Sequence, residues 1–183
     1  GMVCAPQPEA VEAGCEMLQR GGNAVDAAVA CALAQGVVDP LMTGIGGDCL
    51  MLAWSARERK LLALNGTGRA PRRATQAEYE RRGIREMPPQ GILTVSVPGA
   101  VDAWWTILER CGTRTLGDVL AAAIAYAGDG FPVSEVVSLE WALSAGAGFL
   151  GNDAARACFA PGGEPPKLGA IVRFPDMARA LRD

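Results

Sequence analysis

The stretch Gly21–Trp54, GGNAVDAAVACALAQGVVDPLMTGIGGDCLMLAW, constrains the fold more than any other part of the chain. Gly21 and Gly22 close a preceding helix, because glycine takes the left-handed conformation after a helix at least cost. Asn23 is placed to cap the next helix, and Asp26 puts a negative charge in its positively polarised first turn. From Ala24 to Val38 nearly every side chain is apolar and alanine is the commonest. A helix without a polar face is buried all round, and this one is too short and too alanine-rich for a membrane span. Thr43–Asp48 (TGIGGD) forms a hinge, and the apolar run Cys49–Trp54 follows. A buried helix that feeds through a glycine elbow into a core strand predicts a layered α/β domain.

The flanking sequence fits a mixed α/β (α+β) arrangement. Pro8–Arg20 reads as a helix with Val11, Cys15 and Leu18 on one face. Cys49–Trp54 and Lys60–Leu64, joined by the charged Ser55–Arg59, read as a hairpin of central strands. Asn65–Arg73 reads as a loop. Thr75–Glu78 has the pattern of a capping box and predicts a helix to about Arg82. Met87–Gln90 is extended or turning, and Gly91–Val97 reads as a strand ended by Pro98-Gly99. Val101, Trp104, Trp105 and Leu108 define a helical face that runs to Arg110. Thr115 caps a further helix that ends at Gly128–Gly130, and Ser134 caps one to about Leu143. Glycine and proline dominate 145–173, and Pro175–Leu181 resumes a helix.

At 183 residues the chain is expected to form a single domain, 1–183, large enough for a real core. Half of its residues are hydrophobic, one in five is charged and the net charge is −3, a soluble globular composition that gives no reason to expect nucleic acid or membrane as a partner. There is no histidine, and the six cysteines lack CxxC spacing, so neither a zinc site nor any other metal site is expected. Several cysteines lie in apolar runs, where a free thiol behaves as a small hydrophobe, which points to a reducing, cytoplasmic setting. Met2 leads at once into Pro6 and a polar helix, which does not read as a signal peptide; a leader lost upstream would make the setting periplasmic.

GGNAVDAAVA, the Gly44–Gly47 loop and the apolar strand after it together resemble the start of the large subunit of the γ-glutamyltransferase (γ-glutamyltranspeptidase) family, a group of N-terminal-nucleophile hydrolases. The ordered matches continue through Gly1-Met2-Val3, Glu12-Ala13-Gly14, Gly68–Pro71, Val97-Pro98-Gly99 and Gly130–Val133. The resemblance implies a four-layer αββα sandwich whose sheets are completed by a C-terminal small subunit cut from the same precursor. It also implies autocleavage that frees an N-terminal threonine, which attacks an amide, forms an acyl-threonine intermediate and passes the acyl group to water or an amine. The threonine's own amino group is the base, so no histidine and no cofactor are required. On this reading the nucleophile lies beyond Asp183, no catalytic residue lies in this chain, and the chain forms one wall of the site.

Among the residues present, Arg69 is the one expected to touch substrate, because a guanidinium fixed in a glycine-rich loop suits a carboxylate. A solvated loop arginine is the alternative. The γ-glutamyl enzymes carry an Arg-Glu pair and, one residue later, Ala-Pro, with the arginine holding the glutamate α-carboxylate. Counting back from Ala70-Pro71, Thr67 occupies the arginine position, Gly68 the glutamate position and Arg69 the variable one. Moving an anchor two residues along an extended loop shifts it by about 6–7 Å. Two substrate classes therefore stay open: a γ-glutamyl amide, or another small carboxylate-bearing amide, as in the oxamate amidohydrolase or acylase branch. A rival of another class is a non-catalytic, truncated relative that binds a partner through an unpaired sheet edge. Cys4 as a nucleophile, Gly44–Gly47 as a phosphate loop and Asp48 as a site residue rank below structural roles for the same residues.

Overall fold

The computed structural model of the chain describes residues 1–89 and 91–183. Helices α1 (Pro8–Gln19) and α2 (Ala24–Val38) are followed by strands β1 (Cys49–Ser55) and β2 (Lys60–Gly66). Next come α3 (Gln76–Arg81), a 3-10 turn (Ile92–Thr94), α4 (Ala100–Cys111), α5 (Leu116–Asp129) and β3 (Phe131–Pro132). The order ends with α6 (Glu135–Gly146), α7 (Asp153–Phe159), β4 (Ile171–Val172) and α8 (Pro175–Ala180). The class is mixed α/β, as the pattern predicts. The chain divides into two compact units, one of 1–44 with 105–183 and one of 45–104.

The first unit is built on α2. Asn23 accepts hydrogen bonds from the Val25 and Asp26 amides at 2.8 and 3.1 Å, and Asp26 returns the bond to the Asn23 amide at 2.8 Å, closing a capping box. Asp26 is fully buried and also accepts from the Thr113 amide (2.9 Å), the Thr113 hydroxyl (2.6 Å) and the Arg114 amide (3.2 Å). It thereby ties the start of α2 to the turn before α5. Helix α2 packs against both α1 and α5, and α5 packs against α8. At Gly14 a Cβ would lie 2.8 Å from Val3 Cγ1 and 3.1 Å from the Ala27 carbonyl oxygen, so glycine there sets how closely α1 approaches α2. A second part of the core is aromatic: Phe131, Trp141, Phe159 and Phe174 meet at ring separations of 5.8–6.4 Å.

In the second unit β1 and β2 pair antiparallel, with Cys49 opposite Gly66 and Ser55 opposite Lys60. Leu50, Leu52 and Trp54 form one row of β1 and are 75, 71 and 65% exposed. The α4 segment of this unit contributes the buried Ala100, Ala103 and Trp104.

Several expectations are corrected. The buried face of α1 is Ala10, Ala13, Gly14 and Met17, while Val11, Cys15 and Leu18 are only half-buried; the close approach of α2 selects the small Ala10, Ala13 and Gly14. Residues 91–97 form a 3-10 turn and irregular chain where a strand was expected; the Val97 amide bonds only to the Arg69 carbonyl, at 2.9 Å. The strand β2 runs on through Asn65 and Gly66, where the pattern predicts loop. At α3 only half of a capping box forms: Thr75 accepts from the Glu78 amide, but the Glu78 carboxylate turns to Arg81 and Arg82. In α4 Val101 and Trp105 are each 48% exposed, and Ala100, Ala103 and Ile107 replace them on the buried face. The stretch 145–173 contains α7 and β4, neither of which was anticipated. Residues 87–89 are irregular, and the end of that expected turn, Gln90, lies outside the described residues.

Candidate functional site

The candidate site is the turn that leaves β2, and the hairpin register explains its shape. Because Cys49 pairs with Gly66, Asp48 just before β1 stands beside the residues that leave β2. Asp48 Oδ1 accepts the Gly68 amide at 3.2 Å, and Asn65 Oδ1 accepts the Thr67 amide at 2.9 Å. Asp48 is therefore a loop-holding residue, as ranked from the sequence. The Arg69 carbonyl takes the Val97 amide at 2.9 Å, and the Gly47 carbonyl takes the Gly99 and Ala100 amides at 3.1 and 3.0 Å. The loop 65–69, the 97–99 segment and the Gly47–Asp48 elbow are thus bound to one another mainly through backbone.

Gly68 lies where these segments are closest. A Cβ on it would fall 1.8 Å from the Val97 carbonyl oxygen and 2.8 Å from Ser96 Oγ, so this backbone admits no side chain at position 68. Gly99 is equally confined, with a Cβ 2.3 Å from the Gly66 carbonyl oxygen. The sequence shows these glycines, but not that they face one another; the matching Gly68–Pro71 and Val97–Gly99 motifs were the available signal.

Exposure alternates along the loop: Asn65, Thr67 and Arg69 are exposed, while Gly66 and Gly68 are half-buried. The two sequence-predicted binding residues, Thr67 and Arg69, thus both present their side chains outward from a backbone that is held in place. The Arg69 side chain makes no hydrogen bond or ion pair among the described residues, and Arg72 and Arg73 next to it are exposed as well. An apolar hollow of about 450 Å³, lined by Leu50, Met51, Leu52, Ala63, Leu64 and Asn65, abuts the start of the loop. A guanidinium on a turn held in this way can take a small carboxylate by paired hydrogen bonds.

All six cysteines are free. Burial pushes the thiols of Cys31, Cys49 and Cys158 above their ordinary value, the opposite of what activates a nucleophile. Cys4 is exposed and makes no hydrogen bond or ion pair among the described residues. Among the described residues no three His, Cys, Asp or Glu side chains converge on a metal position. No helix among them is long and apolar enough to cross a membrane.

Residues 10–183 match the family model described as gamma-glutamyltranspeptidase. The chain is 33% identical to the glutathione hydrolase proenzyme of Bacillus subtilis (strain 168), an alignment that covers all of this chain and 31% of that protein. It superposes on the crystal structure of Helicobacter pylori gamma-glutamyltranspeptidase with a TM-score of 0.92 at 28% identity, covering all of this chain and 53% of that one. Against cephalosporin acylase from Bacillus halodurans the TM-score is 0.90 at 38% identity, over 96% of this chain and 34% of that one. The chain thus spans about a third of the length of the curated relatives it matches.

Proposed function

The chain belongs to the gamma-glutamyltranspeptidase family, and from that premise we propose that it is the first part of the large subunit of an amidohydrolase or acyltransferase that cleaves a carboxylate-bearing amide. The reading places the nucleophilic threonine outside these residues, on a small subunit released from the same precursor, and makes this chain the wall that receives the substrate's carboxylate. The observation that carries it is the Arg69 guanidinium, without a partner among the described residues, on a turn held by the Asp48, Val97 and Asn65 hydrogen bonds. Acyl transfer would begin with attack by the threonine hydroxyl on the amide carbon. Its proton passes to the amine that leaves, and water or a second amine then takes the acyl group. Arg69 would fix the acyl donor by paired hydrogen bonds and take no part in proton transfer. The free thiols suit a reducing compartment such as the cytoplasm.

A γ-glutamyl amide is the first substrate class to test. A second class, small carboxylate-bearing amides of the oxamate or acylase type, is favoured by Gly68: at the position where the γ-glutamyl enzymes carry glutamate, this backbone leaves no room for a side chain. The experiment is to express the full-length protein, look for autocleavage by mass, and assay both amide classes with the wild type and with Arg69→Ala. Two fragments, the smaller beginning with threonine, together with a rise in KM of about tenfold or more in the variant, correspond to one lost charge-assisted contact of roughly 1.5–3 kcal/mol. A single uncleaved, inactive protein would refute the enzyme reading and leave the binding-module alternative.

A further inference from the structure

Arg69 lies between two hydrogen bonds that fix the peptide groups on either side of it. Before it, the Gly68 amide donates to Asp48 Oδ1 at 3.2 Å; after it, the Arg69 carbonyl accepts from the Val97 amide at 2.9 Å. The Thr67 amide, one residue earlier, donates to Asn65 Oδ1 at 2.9 Å. These contacts differ in kind. The Asn65 bond spans two residues and comes with the local turn. The Val97 bond is backbone to backbone. Asp48 holds the loop through a side chain that stands 20 residues away in sequence.

The surroundings of Asp48 give that bond a fixed origin. Its neighbour Gly47 is tied through its carbonyl to the Gly99 and Ala100 amides at 3.1 and 3.0 Å, so the backbone that carries the carboxylate is itself anchored. A Cβ on Gly99 would lie 3.0 Å from the Gly68 nitrogen, which leaves the loop no room to shift toward 99. A charged acceptor also binds a peptide N–H more strongly than a neutral one. Asp48 is exposed, so its removal opens no cavity in a core, and what it fixes is the loop.

We propose, on the reading of Arg69 as the carboxylate anchor, that Asp48 is a positioning residue for substrate: by holding the Gly68 amide it sets the direction in which the Arg69 guanidinium is presented. Asp48 itself touches no substrate. Paired hydrogen bonds from a guanidinium to a carboxylate tolerate a misplacement of only about 0.5 Å, and a long side chain magnifies any drift of the backbone that carries it. With the Gly68 amide released, Arg69 samples more orientations, and a bound carboxylate must order them at a cost in affinity. The acyl-transfer step, carried out by groups outside this loop, is left as it was, so the loss falls on KM and spares kcat.

The test uses the full-length protein, with self-cleavage checked by mass for each variant, and whichever amide class the wild type turns over. Asp48→Ala should raise KM about three- to tenfold, the contribution of one hydrogen bond, with kcat little changed. Asp48→Asn keeps an oxygen for the Gly68 amide and should stay within about twofold of the wild-type KM. In an Arg69→Ala background, Asp48→Ala should change KM no further, because the two residues act through one contact. Should Asp48→Ala fail to cleave itself, Asp48→Glu, which keeps the charge and displaces the oxygen, takes its place with the same expected rise. A KM raised by Arg69→Ala but untouched by the Asp48 variants would overturn the proposal and leave the anchor standing. So would effects of the two substitutions that simply multiply, or a loss confined to kcat, the marks of a general structural role. An Arg69→Ala variant with unchanged KM, or a protein that turns over neither amide class, would remove the anchor itself and this role for Asp48 with it.

Discussion

Replacing Asp26 with asparagine tests the argument that the fold is organised from the start of α2. Asp26 Oδ1 accepts the Thr113 and Arg114 amides at 2.9 and 3.2 Å, and Oδ2 accepts the Asn23 amide and the Thr113 hydroxyl at 2.8 and 2.6 Å. Asparagine keeps the shape but turns one oxygen into a donor. The variant is best served by keeping the oxygen at the Oδ1 position, since the Thr113 hydroxyl can rotate to accept while the Asn23 amide cannot. The loss is one charge-assisted hydrogen bond and the charge from the others, about 2–3 kcal/mol. Hydrogen exchange of the full-length protein reads this locally: amide protection in the 110–118 segment should fall about 30- to 150-fold at neutral pH. The effect has a defined pH dependence. Burial raises the Asp26 pKa, but the hydrogen bonds from Thr113, Asn23 and Arg114 outweigh it and hold the carboxyl below its ordinary value. Its stabilisation is therefore fully present above the unfolded pKa of about 4 and is lost as pH falls through the lower folded value. The difference between variant and wild type should shrink to near zero over that acid range. Unchanged protection at pH 7, or a difference that persists in acid, would refute the reasoning.

Three further outcomes follow from particular contacts. Gly68→Ala should destabilise the loop by about 1–3 kcal/mol or more, because the added carbon meets a backbone carbonyl and no flexible side chain. Gly46→Ala, with nothing within 4 Å of its Cβ, should be close to neutral when the two are compared by urea unfolding. Trp141→Ala should cost about 3–5 kcal/mol, since the ring is fully buried against Phe159 and Phe174, and the loss would show as a lower urea midpoint. Tyr126, half-buried and donating to Glu12 at 3.1 Å, is pushed up to about 12 first by burial and then by that carboxylate. Ultraviolet titration should find this tyrosine ionising near 12, and Glu12→Gln should bring it down.

What the sequence made legible is what local chemistry settles. The caps at Asn23, Thr115 and Ser134 and the helices they begin are all present, because a side chain bonding an amide two or three residues on needs no distant partner. The Gly68–Pro71 and Val97–Gly99 motifs pointed to the loop that now carries Arg69. What escaped was whatever depends on a partner far along the chain. That 97–99 lies against 66–69 with no room for a Cβ is tertiary information, and without it 91–97 looked like a strand. The buried face of α1 departs from the expected stripe for the same reason: the approach of α2 selects Ala10, Ala13 and Gly14 over Val11, Cys15 and Leu18.

The hairpin carries this argument one step further. Its strands read as central because their apolar residues do not alternate with polar ones, and a central strand must cover both faces. In the described chain Leu50, Leu52 and Trp54 face outward on β1, with Leu61 on β2 at 59% exposure. Local pairing is satisfied by the Cys49–Gly66 register, so nothing in the hairpin itself accounts for leucine and tryptophan on that row. Leaving such side chains in water forgoes roughly 1.5–3 kcal/mol for each. Such a pattern, which contributes nothing to the hairpin's own pairing, fits one half of a larger packed layer. The proposed role of the Arg69 loop points the same way, because a carboxylate anchor would have no reaction to serve until a nucleophile stood across from it.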